Sequence, residues 1–126
     1  MRKDLVVIPE DRPGALADIA EALGDAGVNI DACSAFTGGG KGVVHVLVSD
    51  EEAGVKALTD AGLIVHASRA VAVVQLDNEP GSLAKVARRI DSAGVNIEQA
   101  YFANDNQLVI VSEDPDGVRA ALSDLS

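Results

Sequence analysis

Aromatic residues are almost absent from this sequence: there is no tryptophan, and Phe36, Tyr101 and Phe102 are the only aromatic side chains. Because 48% of the residues are nevertheless hydrophobic, the core must be built from aliphatic side chains. Single-stranded nucleic acid is bound largely by stacking of bases on aromatic rings, so this composition argues against that class of protein.

Basic residues are also scarce, with 10 Lys and Arg against 20 Asp and Glu and a formal net charge of −10. Nucleic-acid binding needs clustered cations to neutralise phosphates, and anionic membrane surfaces attract basic segments. The charge balance therefore argues against both partners.

A second cysteine and a long apolar run are missing too. Cys33 is the only cysteine, so no internal disulfide can form. No stretch approaches the roughly 20 apolar residues of a membrane span. The apolar run that follows the basic residues at the start stops after four residues, which is too short for a signal peptide. We expect a soluble cytoplasmic protein.

The most informative feature of the sequence is an internal repeat. The pentapeptide AGVNI occurs at 26–30 and again at 93–97, and ten of the twenty residues in 11–30 match 78–97 at a constant offset of 67. Downstream, 46–57 aligns with 109–120 at an offset of 63, which implies that the second copy lost four residues. The chain thus contains two copies of one supersecondary unit.

Hydrophobic periodicity predicts the elements of each copy. The first copy is predicted as strand–helix–strand–strand–helix–strand, with strands at 5–9, 29–36, 42–49 and 63–67 and helices from Pro13 to Gly27 and over 51–62. The second copy repeats this order at 70–76, 80–94, 96–103, 107–113 and 116–125, without a fourth strand. The run 63–76 could lie across both sheets, or a partner chain could complete the second one.

Two βαββαβ units, each with helices on one face of an antiparallel sheet, predict a ferredoxin-like α+β fold. We place the domains at 1–68 and 69–126, joined by a short linker at 68–70. The second unit lacks its own last strand.

Two features of the repeat are suited to binding a small molecule. Pro13 fits the first helical position, and the backbone N–H groups after it, at Gly14, Ala15 and Leu16, point out of the helix N-terminus, which attracts carboxylate or phosphate. Asparagine disfavours strands, yet Asn29 and Asn96 each stand at a predicted strand start. Their amides can cap a helix or contact a ligand.

The succession of a strand, (D/N)-x-P-G-x-L, a helix and G-V-N-I, present twice, resembles a tandem pair of ACT domains. The resemblance covers nearly the whole chain except for the missing last strand. It implies a regulatory module that binds a free amino acid at the interface of two domains, through the first loop and helix start of one and the start of the second strand of the other.

Carried onto this sequence, the resemblance implies ligand-binding residues in both copies: Asp11, Arg12, Gly14, Ala15, Leu16, Asn29, Asn78, Glu79, Gly81, Ser82, Leu83 and Asn96. In serine-inhibited 3-phosphoglycerate dehydrogenases, an Asn before x-P-G and the Asn of G-V-N-I hold the ligand, as Asn78 and Asn96 would here. In the first copy, Asp11 stands in place of the loop asparagine. The histidine that some family members place two residues before that asparagine is absent from both copies, which have Pro9 and Leu76 there. The half-sites are thus unequal, since a carboxylate pairs with an ammonium whereas an amide can also donate.

Other motifs favour structural interpretations. The run GGGKG at 38–42 lacks the helix that a phosphate-binding P-loop requires and predicts a hairpin turn. His45 and His66 have no spaced metal-ligand partners, and Cys33 is expected to be a buried small side chain. The acidic run 50–52 is expected to cap a helix, and Arg88 and Arg89 to lie on a solvated face that could contact a partner.

No nucleophile–base pair or metal cluster is present in the sequence pattern, so we predict a non-enzyme without a cofactor. The favoured function is the sensing of a free amino acid at the interface between two ACT domains, which lie either within one chain or across a homodimer, the expected assembly. The alternative is a regulatory subunit that docks on a metabolic enzyme and has a degenerate ligand site. A third hypothesis is a phosphate or nucleotide binder that acts through 37–42.

Overall fold

The computed structural model describes residues 2–125, so the predicted domain limits at residues 1 and 126 lie outside the described part. Two compact units are present, one ending at Arg69 and the other beginning at Ala70. The first unit contains β1 (Lys3–Val7), α1 (Ala15–Asp25), β2 (Ile30–Gly38), β3 (Lys41–Val48), α2 (Glu51–Asp60) and β4 (Val65–Ala70). The second contains β5 (Ala72–Gln75), α3 (Ser82–Ser92), β6 (Gln99–Phe102), a 3₁₀ turn (Asn104–Asn106), β7 (Gln107–Val111) and α4 (Pro115–Ala121).

The first unit has a four-stranded sheet in the order β2-β3-β1-β4, and β3 pairs antiparallel with both β1 and β2. Its core lies on the sheet face that both helices cover. Strand residues such as Leu5 and Val46 pack there against Ile19 and Leu23 of α1 and Leu58 of α2. This architecture confirms the predicted ferredoxin-like α+β unit.

The second unit repeats this plan with three described strands, in the order β5-β7-β6. Its aliphatic core again joins the sheet, through Val74 and Ile110, to both helices, through Ile90 and Val118. Within residues 2–125 no strand pairs with the outer edge of β5. The predicted run 63–76 supplies β4 to the first sheet and β5 to the second, so the expected linker at 68–70 is strand rather than loop.

Three helices end as the glycine spacing predicts. Gly27, Gly62 and Gly94 adopt left-handed conformations with φ of 73°, 80° and 73°. After α1, the Gly27 N–H donates to the Gly24 carbonyl at 3.0 Å, and the next N–H, of Val28, donates to Leu23 at 2.9 Å. This Schellman arrangement satisfies the last carbonyls of the helix.

Structural equivalence between the two copies corrects the downstream alignment. Leu5 pairs with Val46 on the core face of the first sheet, and Ala72, 67 residues after Leu5, pairs with Ile110. The β3–β7 offset is therefore 64, and the helix caps Asp50 and Asp114 agree. The predicted offset of 63 was wrong because it aligned 46–49 with 109–112, which share the pattern V-x-V-S, instead of the residues that face the two cores. The second copy is therefore three residues shorter than the first.

No helix within residues 2–125 has the length and apolar character needed to cross a bilayer.

Candidate functional site

The Pro-Gly pair in the first copy forms a turn before the helix and not its first residues. The Ala15 N–H donates to the Arg12 carbonyl at 3.3 Å, and Gly14 takes φ 85° and ψ −4°. These angles define a type II turn, with proline and then a glycine at positive φ in its centre. The prediction of Pro13 as the first helical residue was wrong, since α1 begins at Ala15.

This turn changes which N–H groups the helix start offers. The turn uses the Ala15 N–H, and the Asp18 N–H donates to the Gly14 carbonyl at 2.9 Å. The intervening N–H groups of Leu16 and Ala17 belong to the first turn, where an α-helix supplies no partner, and no side chain caps them. The second copy is the same, with Gly81 at φ 90° and α3 beginning at Ser82.

The loop after β1 is hydrogen-bonded to the hairpin between β2 and β3. The Asp11 N–H donates to the Gly40 carbonyl at 3.3 Å, and the Gly42 N–H donates to the Pro9 carbonyl at 2.8 Å. Between this loop, the start of α1 and the edge strand β2 lies an open cavity of about 350 Å³. Its lining consists of Pro9, Glu10, Asp11, Arg12, Ala15, Leu16, Ala35, Phe36, Thr37, Gly42 and Val44.

A corresponding cavity of about 200 Å³ opens in the second unit. Its lining consists of Leu76, Asp77, Asn78, Glu79, Ser82, Leu83, Phe102 and Asn106. The structure thus brings the predicted loop and helix-start residues together in each unit. Gly14 and Gly81 form the turns beside these cavities without lining them.

The two cavities differ at one register position. On the core face, Ala35 of β2 pairs with Val44, and Phe102 of β6 pairs with Leu108. Val44 and Leu108 are equivalent at the offset of 64, so Ala35 and Phe102 occupy the same position in the two units. The phenylalanine ring takes up space that alanine leaves open. Phe36 pairs with Val43 and stands on the opposite face.

The charges around the first cavity are predominantly acidic. Arg12 donates from Nη2 to Asp18 Oδ2 at 2.5 Å and from Nη1 to the Pro13 carbonyl at 3.1 Å. The hydrogen bond and charge of Asp18 raise the pKa of the Arg12 guanidinium above its ordinary value. Arg12 is thereby engaged with Asp18 and the Pro13 carbonyl, whereas the acidic residues Glu10 and Asp11 also line the cavity.

The asparagines of the repeated pentapeptide lie away from these cavities. Asn29 follows the C-terminal end of α1 and donates from Nδ2 to Asp31 Oδ1 at 2.7 Å, and Asp31 also accepts from Arg2 at 2.9 Å. Asn96 lies three residues before β6, in a polar cavity of about 300 Å³ lined also by Glu98 and Glu113. Within one unit, therefore, the predicted loop residues and the predicted asparagine do not meet.

Two side chains important for the cavities were missed by the sequence reasoning: Phe36 and Phe102. Both are large, more than half exposed (54% and 53%) and part of the cavity linings. The rarity of aromatic residues in the sequence was the available signal. The sequence did not show that the side chains of Phe36 and Phe102 occupy opposite faces of their strands. That depends on strand register, because adjacent strand residues point to opposite faces.

The other sequence candidates have structural roles. Gly39 and Gly40, with φ of 61° and 79°, form a two-residue hairpin loop between paired strands, so GGGKG is a turn as predicted. Asp50 caps α2 by accepting from the Ala53 N–H at 3.0 Å. No group of three or more metal-ligating side chains occurs within residues 2–125, and His66 is exposed.

His45 is buried and hydrogen-bonded within the sheet. Its Nδ1 lies 2.8 Å from Asp4 Oδ2, with the Asp4 side chain fully buried. The expectation that Cys33 is buried was wrong, since it is exposed on the edge strand β2. On the solvated face, both terminal nitrogens of Arg89 donate to the Asp124 carboxylate, at 2.6 and 2.5 Å.

Residues 5–66 match the family model of the ACT domain. The chain belongs to the ACT domain family. No curated protein matches it in sequence.

Solved structures resemble the chain over nearly its whole length. Protein BT0572 from Bacteroides thetaiotaomicron is 31% identical, with a TM-score of 0.85, and the match covers 97% of this chain and 86% of that one. The ligand-free regulatory subunit of aspartate kinase from Thermus thermophilus is 20% identical, with a TM-score of 0.74 and coverage of 98% and 92%. A structure of aspartokinase alpha and beta subunits is 17% identical, with a TM-score of 0.70 and coverage of 98% and 91%. The last two share the ACT fold with this chain.

Proposed function

We propose that this protein is a non-catalytic regulatory protein that senses a free amino acid through two ACT domains, at 1–68 and 69–126. The ACT fold is a regulatory fold, and the aspartate kinase regulatory subunit shares it over almost the entire chain. Ligand binding would change the packing of the domains and so transmit a signal.

The observation that carries this proposal is the separation of two half-sites within each unit. Each loop and helix start lines one cavity, whereas the asparagine of G-V-N-I lies at the other end of the intervening helix. A ligand gripped by both must therefore span two ACT domains. We propose a homodimer as the assembly that provides the second domain, with Asp11 and Asn78 as the polar loop contacts and Asn29 and Asn96 as those from the facing domain.

The test is thermal unfolding of the full chain against a panel of free amino acids at millimolar concentration. A ligand at about 100 times its dissociation constant stabilises by about 2.7 kcal/mol, which shifts the melting temperature by several degrees for a chain of this size. In the double variant Asp11→Ala, Asn78→Ala, the shift should largely disappear. Both side chains are exposed, so the ligand-free protein should melt normally; an undiminished ligand shift would refute this assignment.

A second candidate is a regulatory subunit that docks on a metabolic enzyme. The observation that favours it is the outer edge of β5, which no strand pairs with in the described residues. Exposed strand edges accept a strand from another chain. Under this alternative no free amino acid stabilises the protein, and it purifies in a stable complex with the enzyme.

A further inference from the structure

The cavity of the first unit has an empty space where the second unit carries an aromatic ring. Ala35 and Phe102 occupy equivalent register positions, opposite Val44 and Leu108. Starting from the proposed function, we infer that the first cavity takes an amino acid with an apolar side chain, and that this side chain fills the space which the Phe102 ring fills in the second unit.

Apolar surface already lines this space. Leu16, exposed to 48% although it is a large hydrophobic residue, lines the cavity together with Ala35 and Val44. Burial of such surface stabilises by about 25 cal/mol per Å². Small-molecule sites are mainly apolar with a few polar groups that fix orientation, and this lining has that composition.

The charges of the cavity exclude one ligand class and orient another. Glu10 and Asp11 contribute carboxylates to the lining, and the only cationic lining residue, Arg12, is held by Asp18 at 2.5 Å. An acidic ligand side chain would meet like charge without a free cation. The ammonium of any amino acid, in contrast, can pair with these carboxylates, while the uncapped N–H groups of Leu16 and Ala17 suit its carboxylate.

The experiment is titration calorimetry on the full chain with leucine, serine, aspartate and lysine. Leucine should bind at least about tenfold more tightly than the others, the equivalent of about 1.4 kcal/mol. The variant Ala35→Phe should weaken leucine binding by about tenfold or more, because its ring occupies the side-chain space. Ala35 is exposed, so the larger residue can be accommodated; Leu16→Ser, which removes the apolar wall, should also weaken leucine binding.

The matched control is Ile64→Ser, which removes an exposed apolar side chain (81%) that lines neither cavity and should leave leucine binding intact. Serine, aspartate or lysine binding as tightly as leucine would overturn the inference while leaving the proposed function standing. An unchanged leucine affinity in Ala35→Phe would also overturn it. If Leu16→Ser converted a dimer to a monomer without changing leucine affinity, the wall would be a subunit contact and the inference would fail. Absence of binding by every amino acid would remove the proposed function itself.

Discussion

The two units share a helix-covered sheet face but differ on the opposite face of the sheet. In the first unit this opposite face carries the buried Asp4 and His45, exposed to 0% and 8%. The equivalent positions in the second unit, at offsets of 67 and 64, are Val71 and Val109, exposed to 2% and 0%. A hydrogen-bonded polar pair in one copy is thus a pair of valines in the other.

This difference shows that the fold does not require the polar pair. Burying charged or polar groups has a desolvation cost that mutual attraction often only offsets, and well-packed apolar replacements are frequently as stable. The second unit contains that replacement naturally. The Asp4–His45 pair should therefore matter mainly when one member is lost.

The largest expected effect comes from breaking this pair at one end. Replacing Asp4 with valine removes the carboxylate that lies 2.8 Å from His45 Nδ1 and should lower the free energy of unfolding by about 3 kcal/mol. Adding His45→Val, which reproduces the residues of the second unit, should recover more than half of that loss. Urea unfolding of the three proteins measures both changes.

The reverse substitution sharpens the comparison. Val109→His would place an imidazole in the second unit on the sheet face of Val71, without the carboxylate that the first unit provides, and should also destabilise by a few kcal/mol. If Asp4→Val alone were as stable as the double variant, the buried pair would have no coupling and our account of the difference would be wrong.

A smaller effect is expected at the caps, where the units are alike. Asp50 and Asp114 each accept a hydrogen bond from the N–H three residues later, at 3.0 and 2.9 Å. Each substitution by alanine should cost about 1 kcal/mol in unfolding free energy. The exposed Asp60, at the last residue of α2, provides the control, with an expected cost below about 0.5 kcal/mol. Strongly unequal costs for Asp50→Ala and Asp114→Ala would show that α2 and α4 contribute differently to the stability of their units.

The smallest effect concerns an ion pair found in the second unit only. Arg89 binds Asp124, whereas the equivalents Ala22 and Asp60 cannot form this pair. The hydrogen bond from Arg89 holds the pKa of Asp124 below its ordinary value. The contribution of this ion pair to stability is therefore fully present above the pH at which an ordinary Asp titrates. It is lost as the pH falls through the lowered pKa of Asp124.

Titration of the Asp124 carboxyl by NMR measures this effect directly. In Arg89→Ala the pKa should return towards the ordinary Asp value, and the pH dependence of stability in the acid range should weaken. In Arg88→Ala, whose guanidinium pairs with Asp91 at 2.7 Å, the Asp124 titration should not move. An unshifted Asp124 pKa in the parent protein would contradict the pairing.

The sequence predicted the element order, the two-unit α+β fold and the glycine-terminated helices, because periodicity and left-handed glycines are local signals. Register was harder. The identity of VxVS in the two copies suggested an offset of 63, and only the pairing of Leu5 with Val46 and of Ala72 with Ile110 established 64.

The candidate site shows the same division between local and tertiary information. The clustering of Asp11, Arg12, Ala15 and Leu16 in one cavity was predictable, since they are neighbours in the chain. The participation of Phe36 and Phe102 was not, because it depends on which face of an edge strand each residue occupies. Cys33 was misjudged for a related reason: alternation identifies its face, but not that β2 lies at the edge of the sheet.

The glycine hairpin between β2 and β3 has a consequence for how duplicated genes diverge. Loss of an odd number of residues inside a strand would turn every later side chain to the opposite face, yet the copies differ in length by three and Val44 and Leu108 both still face the helices. The loss is harmless because it falls at the tip, where Asp105 and Asn106, both at φ 58°, close a shorter connection. The tip is thus a permissive position for insertions and deletions, and the natural place to insert a peptide tag or reporter without disturbing the hydrophobic interior.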